Sequence, residues 1–196
     1  GDLFAIVWDS KNKELIGLNA SGRSPKKMTL EYFNEKKIDT IPSLGPLPIS
    51  VPGAVDGWFK LHERFGILEM EDILNPAIAY ARNGFPVSEV IAHELEANKV
   101  LMEKFPGFSE TYMPNGDIPR KGELFKNPRL ANTLERIAKN GRDEFYKGNI
   151  AKVISDFMAK HGGLLSYEDL AEHESDWVDP VSTNYRGWDV YELPPN

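Results

Sequence analysis

The chain has 196 residues, 41% hydrophobic and 27% charged, which is ordinary for a globular domain and long enough to bury a core. Its 23 Lys and Arg against 30 Asp and Glu give a net charge of -7, which disfavours a general phosphate-binding surface and removes the electrostatic case for nucleic acid. Zero cysteines exclude a disulfide and a thiolate nucleophile, and the longest apolar run, Leu3 to Trp8, is far short of the roughly 20 residues that span a bilayer.

Leu3 to Trp8 and Glu14 to Leu18 are short apolar runs around Asp9-Ser10-Lys11-Asn12-Lys13, the pattern of an antiparallel β-hairpin with a polar turn. Asn19 to Pro25 is a loop of small and polar residues, and Thr29 to Phe33 opens a short helix ending near Lys37. The Pro-rich stretch from Ile41 to Pro52 resists regular structure apart from a brief strand at Ile49 to Val51. From Gly53 to Gly66 the apolar spacing predicts a helix, with a Pro-Gly turn at its start that packs Trp58 and Phe59 inward.

Met70 to Leu74 reads as a short turn, and Asn75-Pro76 as an N-cap with proline at the first helical position, leading through Ile78 and Ala81 to Gly84. Val87, Ile91 and Leu95 recur every four residues, which predicts a helix over Ser88 to Phe105. Gly107 to Gly122 lacks helical periodicity and carries the turn signal Pro114-Asn115-Gly116-Asp117, so a surface loop is expected. Asn127-Pro128 repeats the cap signal before the stripe Leu130, Leu134, Ile137, and a second stripe runs Ile150, Val153, Ile154, Phe157, Met158. Ser166 and Asp169 form a capping-box pair, and Val178 to Thr183 with Trp188 to Leu193 read as strands around Asn184 to Gly187.

Both ends read as cuts through a longer chain, since strand-like runs lie directly against them; residues 1–196 are expected to form one incomplete domain whose exposed strands pair with a partner or a second copy. Motifs for self-contained chemistry are missing. His93-Glu94 is followed by Asn98 where a zinc-protease helix needs its second His, and surface or helix-end roles are expected for His62, His93, His161 and His173. Gly162-Gly163 and Gly17 to Gly22 do not match phosphate-cradling loops, and no Gly-x-Ser-x-Gly elbow occurs. Arg23 stands out, because a guanidinium in a small-residue loop just after a strand can grip a carboxylate in bidentate fashion; pairing with a nearby Asp or Glu is the plainer alternative.

The runs Gly1 to Asp9, Asn19 to Pro25 and Ser50-Val51-Pro52-Gly53-Ala54-Val55-Asp56-Gly57-Trp58 resemble the γ-glutamyltransferase (γ-glutamyl transpeptidase) family. Further pieces agree in order: Asn75 to Ile78, Asn83 to Val87, Asp143 to Gly148, Gly162 to Leu165, Glu168-Asp169-Leu170, Tyr185-Arg186-Gly187 and Leu193-Pro194-Pro195. The resemblance implies the middle to late part of the large subunit of an N-terminal nucleophile hydrolase, a self-cleaving precursor. The implied fold is α+β and helix-dominant, part of an αββα sandwich.

It also implies that the catalytic Thr, whose α-amino group serves as its general base, and the oxyanion-hole glycines lie on a small subunit. No catalytic residue is then expected in this chain, which alone would be inert; no metal or cofactor is implied, and a periplasmic or extracellular address is the family's usual one. The implied reaction transfers a γ-glutamyl group from a small-molecule donor to water or to an amino acid. The residue to carry over is Arg23, as the grip on the γ-glutamyl α-carboxylate. The family pattern places that Arg four residues before a Pro, here Ser21, whereas Arg23 is two before Pro25. The offset leaves open a cephalosporin (glutaryl) acylase-like specificity, or a non-catalytic binding module on the same fold.

Overall fold

The computed structural model describes residues 1–196 as a helix-dominant α+β chain. Strands β1 (Leu3–Asp9) and β2 (Glu14–Ala20) pair antiparallel with Leu3 opposite Ala20 and Asp9 opposite Glu14. Their turn closes on the Asp9 carboxylate, which accepts from the backbone of Lys11 (2.9 Å) and Asn12 (3.2 Å) while Lys13 takes a left-handed conformation. Helix α1 (Leu30–Lys36) is capped by the Thr29 hydroxyl and stopped by left-handed Lys37, as its sequence predicts. No strand forms at Ile49 to Val51; that stretch makes one backbone bond, from Val51 N to Arg23 O (3.0 Å), too little for a ladder.

Helix α2 (Ala54–Phe65) occupies the expected span but buries a different face. Val55, Asp56 and Gly57 are its buried residues, while Trp58 and Phe59 are only half-buried. Helix α3 (Met70–Asn83) runs through Pro76 instead of starting there. Met70, Leu74, Ile78 and Ala81 all fall on one buried stripe, and their burial offsets the hydrogen bond that an internal proline removes. Strand β3 (Phe85–Pro86) is a two-residue bridge, followed by α4 (Glu89–Met102), capped by Ser88 and without a buried residue despite its four-residue apolar spacing.

The expected loop after Gly107 contains α5 (Phe108–Tyr112), which buries Phe108; Ile118 is buried beyond it. Strand β4 (Leu124–Phe125) pairs with β3, and Asn127 caps α6 (Pro128–Asn140) through its bond from Leu130 N (3.0 Å). The buried face of α6 is Ala131, Leu134 and Ile137, with Leu130 exposed. Helices α7 (Arg142–Tyr146), α8 (Asn149–Lys160) and α9 (Tyr167–Ala171) follow, α9 opening with the full Ser166/Asp169 capping box. In α8 only Ala151 and Met158 are buried, so Val153 and Phe157 of the predicted stripe face outward.

Strands β5 (Asp176–Val178), β6 (Val181–Tyr185) and β7 (Trp188–Glu192) divide what the sequence suggests is one hairpin. β5 joins β2 to complete a sheet ordered β1-β2-β5, and β6 pairs only with β7. The break falls at Asp179-Pro180, where proline has no N–H to continue a ladder.

Two compact units make up the chain, Gly1–Ile67 with Asn140–Asn196, and Leu68–Lys139. The first has its core in Ile16, Leu18 and Ala20 of β2, Val51 and Val55, Tyr146, Ala151, Met158 and Leu170. The second is built on the α3 stripe and on Ala131, Leu134 and Ile137 of α6.

Candidate functional site

Residues 19–25 leave β2 in a tightly held loop. Asn19 Oδ1 accepts from Ser21 N (3.0 Å), Gly22 N donates to the Asp2 carboxylate (3.2 Å), and Arg23 O accepts from Val51 N (3.0 Å). A Cβ on Gly22 would overlap the Val51 carbonyl, and one on Gly53 the Ala20 carbonyl, so the two chain segments touch backbone to backbone. Pro25 is fully buried and Lys26 N donates to Asp169 Oδ1 (2.9 Å), which anchors the far side.

With both flanks anchored, the loop offers solvent the side chains of Ser24 and, reaching further, Arg23. Arg23 is 76% exposed and its Nη2 donates to Asp176 Oδ2 at 3.1 Å, the Asp176 side chain being 59% exposed. Ser21, where the family arrangement would put the Arg, is half-buried. Arg23 also borders a pocket of about 110 Å³ with Lys26, Glu172 and His173. Lys26 and Glu172 are ion-paired there, and the Glu172 carboxylate raises the Lys26 ammonium pKa.

Beneath the loop lies a second, buried arginine–aspartate pair that the sequence does not announce. Asp56, on the first turn of α2, is 0% exposed. Its Oδ1 accepts from Arg142 Nε and its Oδ2 from Ser175 N (2.6 Å), while its own N–H donates to the Tyr146 hydroxyl (2.9 Å). Tyr146 Oη donates in turn to Pro52 O (2.6 Å), and Arg142 Nη2 donates to His173 O. Burial pushes the Asp56 carboxyl up, but the bonds from Arg142 and Ser175 outweigh it and hold its pKa below the usual carboxylate value. Burial pushes the Tyr146 phenol pKa up.

His173 follows α9, the helix-end position expected of it, yet it is buried and stacked on Tyr146 with ring centroids 5.2 Å apart. Neither ring nitrogen has a partner, nor does the buried Ser175 hydroxyl. Desolvation lowers the His173 pKa, the Asp56 charge opposing and the Arg142 charge assisting. The network therefore holds Pro52 and the 173–176 segment, the pieces of chain that flank Arg23 and Asp176.

Asp56 was legible only as one letter of a family-like run; Arg142, 86 residues away, and Asp176, 153 residues from Arg23, gave no local signal. Nowhere do three or more His, Asp or Glu side chains converge as metal ligands would.

A family model described as gamma-glutamyltranspeptidase matches residues 1–196. A glutathione hydrolase-like proenzyme of Bacillus subtilis is 36% identical over 197 residues, an alignment that covers 100% of this chain and 37% of that protein. Among solved structures, Helicobacter pylori gamma-glutamyltranspeptidase superposes with a TM-score of 0.93 at 30% identity, covering 100% of this chain and 57% of that one. The cephalosporin acylase of Bacillus halodurans superposes with a TM-score of 0.89 at 37% identity, covering 99% and 37%. The chain thus spans well under two thirds of each, and its α+β arrangement is part of their N-terminal nucleophile hydrolase fold. Matched along its entire length, it belongs to the gamma-glutamyltranspeptidase family.

Proposed function

We propose that this chain is a large-subunit segment of an enzyme that transfers γ-glutamyl groups to water or to amino acids. The nucleophile is a Thr at the start of a small subunit outside this sequence, and Arg23 supplies the grip on the donor's α-carboxylate. One observation carries the assignment to Arg23: its loop is fixed at every backbone contact while its guanidinium, 76% exposed, is held by a single N–H···O contact. A rigid base with a free cationic tip suits recognition of a carboxylate, for which the planar guanidinium offers a two-pronged donor set. β1, an outer strand of its sheet, and the exposed hairpin β6–β7 are where the small subunit would pair.

A second reading has its own support. Arg23 lies two residues before Pro25, the more usual position is taken by half-buried Ser21, and a cephalosporin acylase is the 37%-identical structural relative. On that reading the full protein releases a glutaryl group and Arg23 has a structural role.

The full-length protein, assayed on γ-glutamyl-p-nitroanilide and on a glutaryl amide, separates the two. Arg23→Ala is expected to raise the apparent KM for the γ-glutamyl substrate with a smaller change in kcat, since the lost contact binds a part of the donor that does not react. A variant indistinguishable from wild type on that substrate, or a parent enzyme that prefers the glutaryl amide, would hand the case to the acylase reading.

A further inference from the structure

Asn-Gly occurs at Asn83-Gly84, Asn115-Gly116 and Asn140-Gly141. In this dipeptide the backbone nitrogen of glycine, unshielded by a Cβ, can attack the side-chain amide of the asparagine before it. The attack needs a nitrogen that can be freed and a backbone that can swing the side chain over it. The fold supplies these very unequally.

Asn83 is the last residue of α3, and Gly84 N donates back to Tyr80 O (2.9 Å). Gly84 is also packed on β4, since a Cβ there would stand 3.2 Å from Phe125 O. Asn140 ends α6, and Gly141 caps α7, its carbonyl accepting from Glu144 N (3.2 Å). Either asparagine must unwind a helix end before it can react. Asn115 instead stands at the corner of a turn with Pro114, closed by one bond from Gly116 N to Met113 O (2.9 Å). Both Asn115 and Gly116 are exposed, Gly116 holds φ +82°, and a Cβ on it would meet nothing within 4 Å.

We propose that Asn115 is a site of self-catalysed modification, with water as the only co-reactant. Gly116 N bonds to Asn115 Cγ; the Cγ–Nδ2 bond breaks, and Nδ2 leaves as ammonia with the amide proton. Water then opens the cyclic imide at one of its two carbonyls, leaving an aspartate or an isoaspartate whose main chain runs through Cγ. Either product places a new carboxylate two residues before Asp117. That neighbour matters to α4, which buries no residue. Two ion pairs tie α4 to this stretch, Lys99 to Asp117 (2.6 Å) and Lys121 to Glu89 (2.6 Å). The new anion competes with Asp117 for Lys99, and the isoaspartate also lengthens the turn, so modification loosens the tether of α4. The site is independent of which donor the enzyme takes.

The test is incubation of the full-length protein at mildly alkaline pH, which favours loss of the amide proton, followed by peptide mass spectrometry with fragmentation that separates aspartate from isoaspartate. A gain of one mass unit is expected at Asn115, about tenfold or more ahead of Asn83 and Asn140, whose rates are scaled down by the equilibrium for opening a helix end. Hydrogen exchange of the α4 amides should quicken in step with the modification and in Asn115→Asp. In Asn115→Gln, whose longer side chain closes the ring poorly, both changes should be lost over the same period. An Asn115 that stays intact, or that lags Asn83 or Asn140, overturns the site. Modification with α4 exchange unchanged overturns the tether.

Discussion

One compact unit contains two arginine–aspartate pairs with the same chemistry and opposite surroundings. Arg142–Asp56 is buried, the side chains 23% and 0% exposed, and each remaining polar atom of the aspartate is engaged by Ser175 or Tyr146. Arg23–Asp176 stands in solvent, 76% and 59% exposed, with a single contact. Removing one partner from a buried pair strands a charge away from water, whereas an exposed pair is screened and hydrated whether it forms or not. The buried pair is therefore a fastener and the exposed pair an available reagent. The difference lies in the solvent around them.

The sharpest way to break that contrast is Asp56→Ala in the full-length protein. It leaves Arg142 half-enclosed and Ser175 N–H without its acceptor, and should cost about 3–5 kcal/mol in urea denaturation. A loss no greater than that of an Asp176 variant would erase the distinction. Tyr146→Phe comes next: it orphans Asp56 N–H and Pro52 C=O, both served by one hydroxyl, for about 1–3 kcal/mol by the same measurement.

Acid should find His173 before it finds Asp56. The folded state holds the His173 pKa below its ordinary 6.5, through desolvation first and the Arg142 charge in support. Between 6.5 and that lower value the unfolded chain binds a proton that the folded chain refuses, so stability is intact above 6.5 and falls as pH drops through this window. His173→Phe keeps an aromatic ring against Tyr146 and should flatten the stability profile there. Asp56, its pKa depressed below 3.8, contributes stability that persists to lower pH and is lost only as pH falls through its folded value. The smallest effect belongs to the exposed pair: Arg23→Ala or Asp176→Asn should lower the unfolding free energy in urea by less than about 1 kcal/mol.

How far the sequence announced all this depended on whether the signal was local. The β1–β2 hairpin, the caps at Thr29, Ser88 and Asn127 and the Ser166/Asp169 box were legible because each is closed within a few residues. Helix faces were read less well. Spacing at three and four marked Trp58, Phe59, Ile91, Val153 and Phe157 as inward, but apolar periodicity cannot tell which stripe has a neighbour to bury it. Pro76 looked like a helix start since its cap signal, Asn75, is indistinguishable from one in mid-helix; the stripe from Met70 onward decided the matter. At the site, Arg23 was visible as an odd residue in a small-residue loop. Asp56, Arg142, His173 and Asp176 were not, because only the β2–β5 pairing and the packing of α2 on α7 bring them together.

The backbone-to-backbone contact at Gly22 and Gly53 sets a rule for anyone who wishes to retarget this protein. Where two loops are separated by side chains, an inserted residue can be absorbed by repacking the layer between them. Here that layer is missing, so lengthening residues 19–25 would push the Val51 strap away and unseat Arg23 rather than reshape its surroundings. A mutagenesis library that keeps loop length and both glycines, and randomises only the exposed positions 23 and 24, samples new surface chemistry on an undisturbed frame.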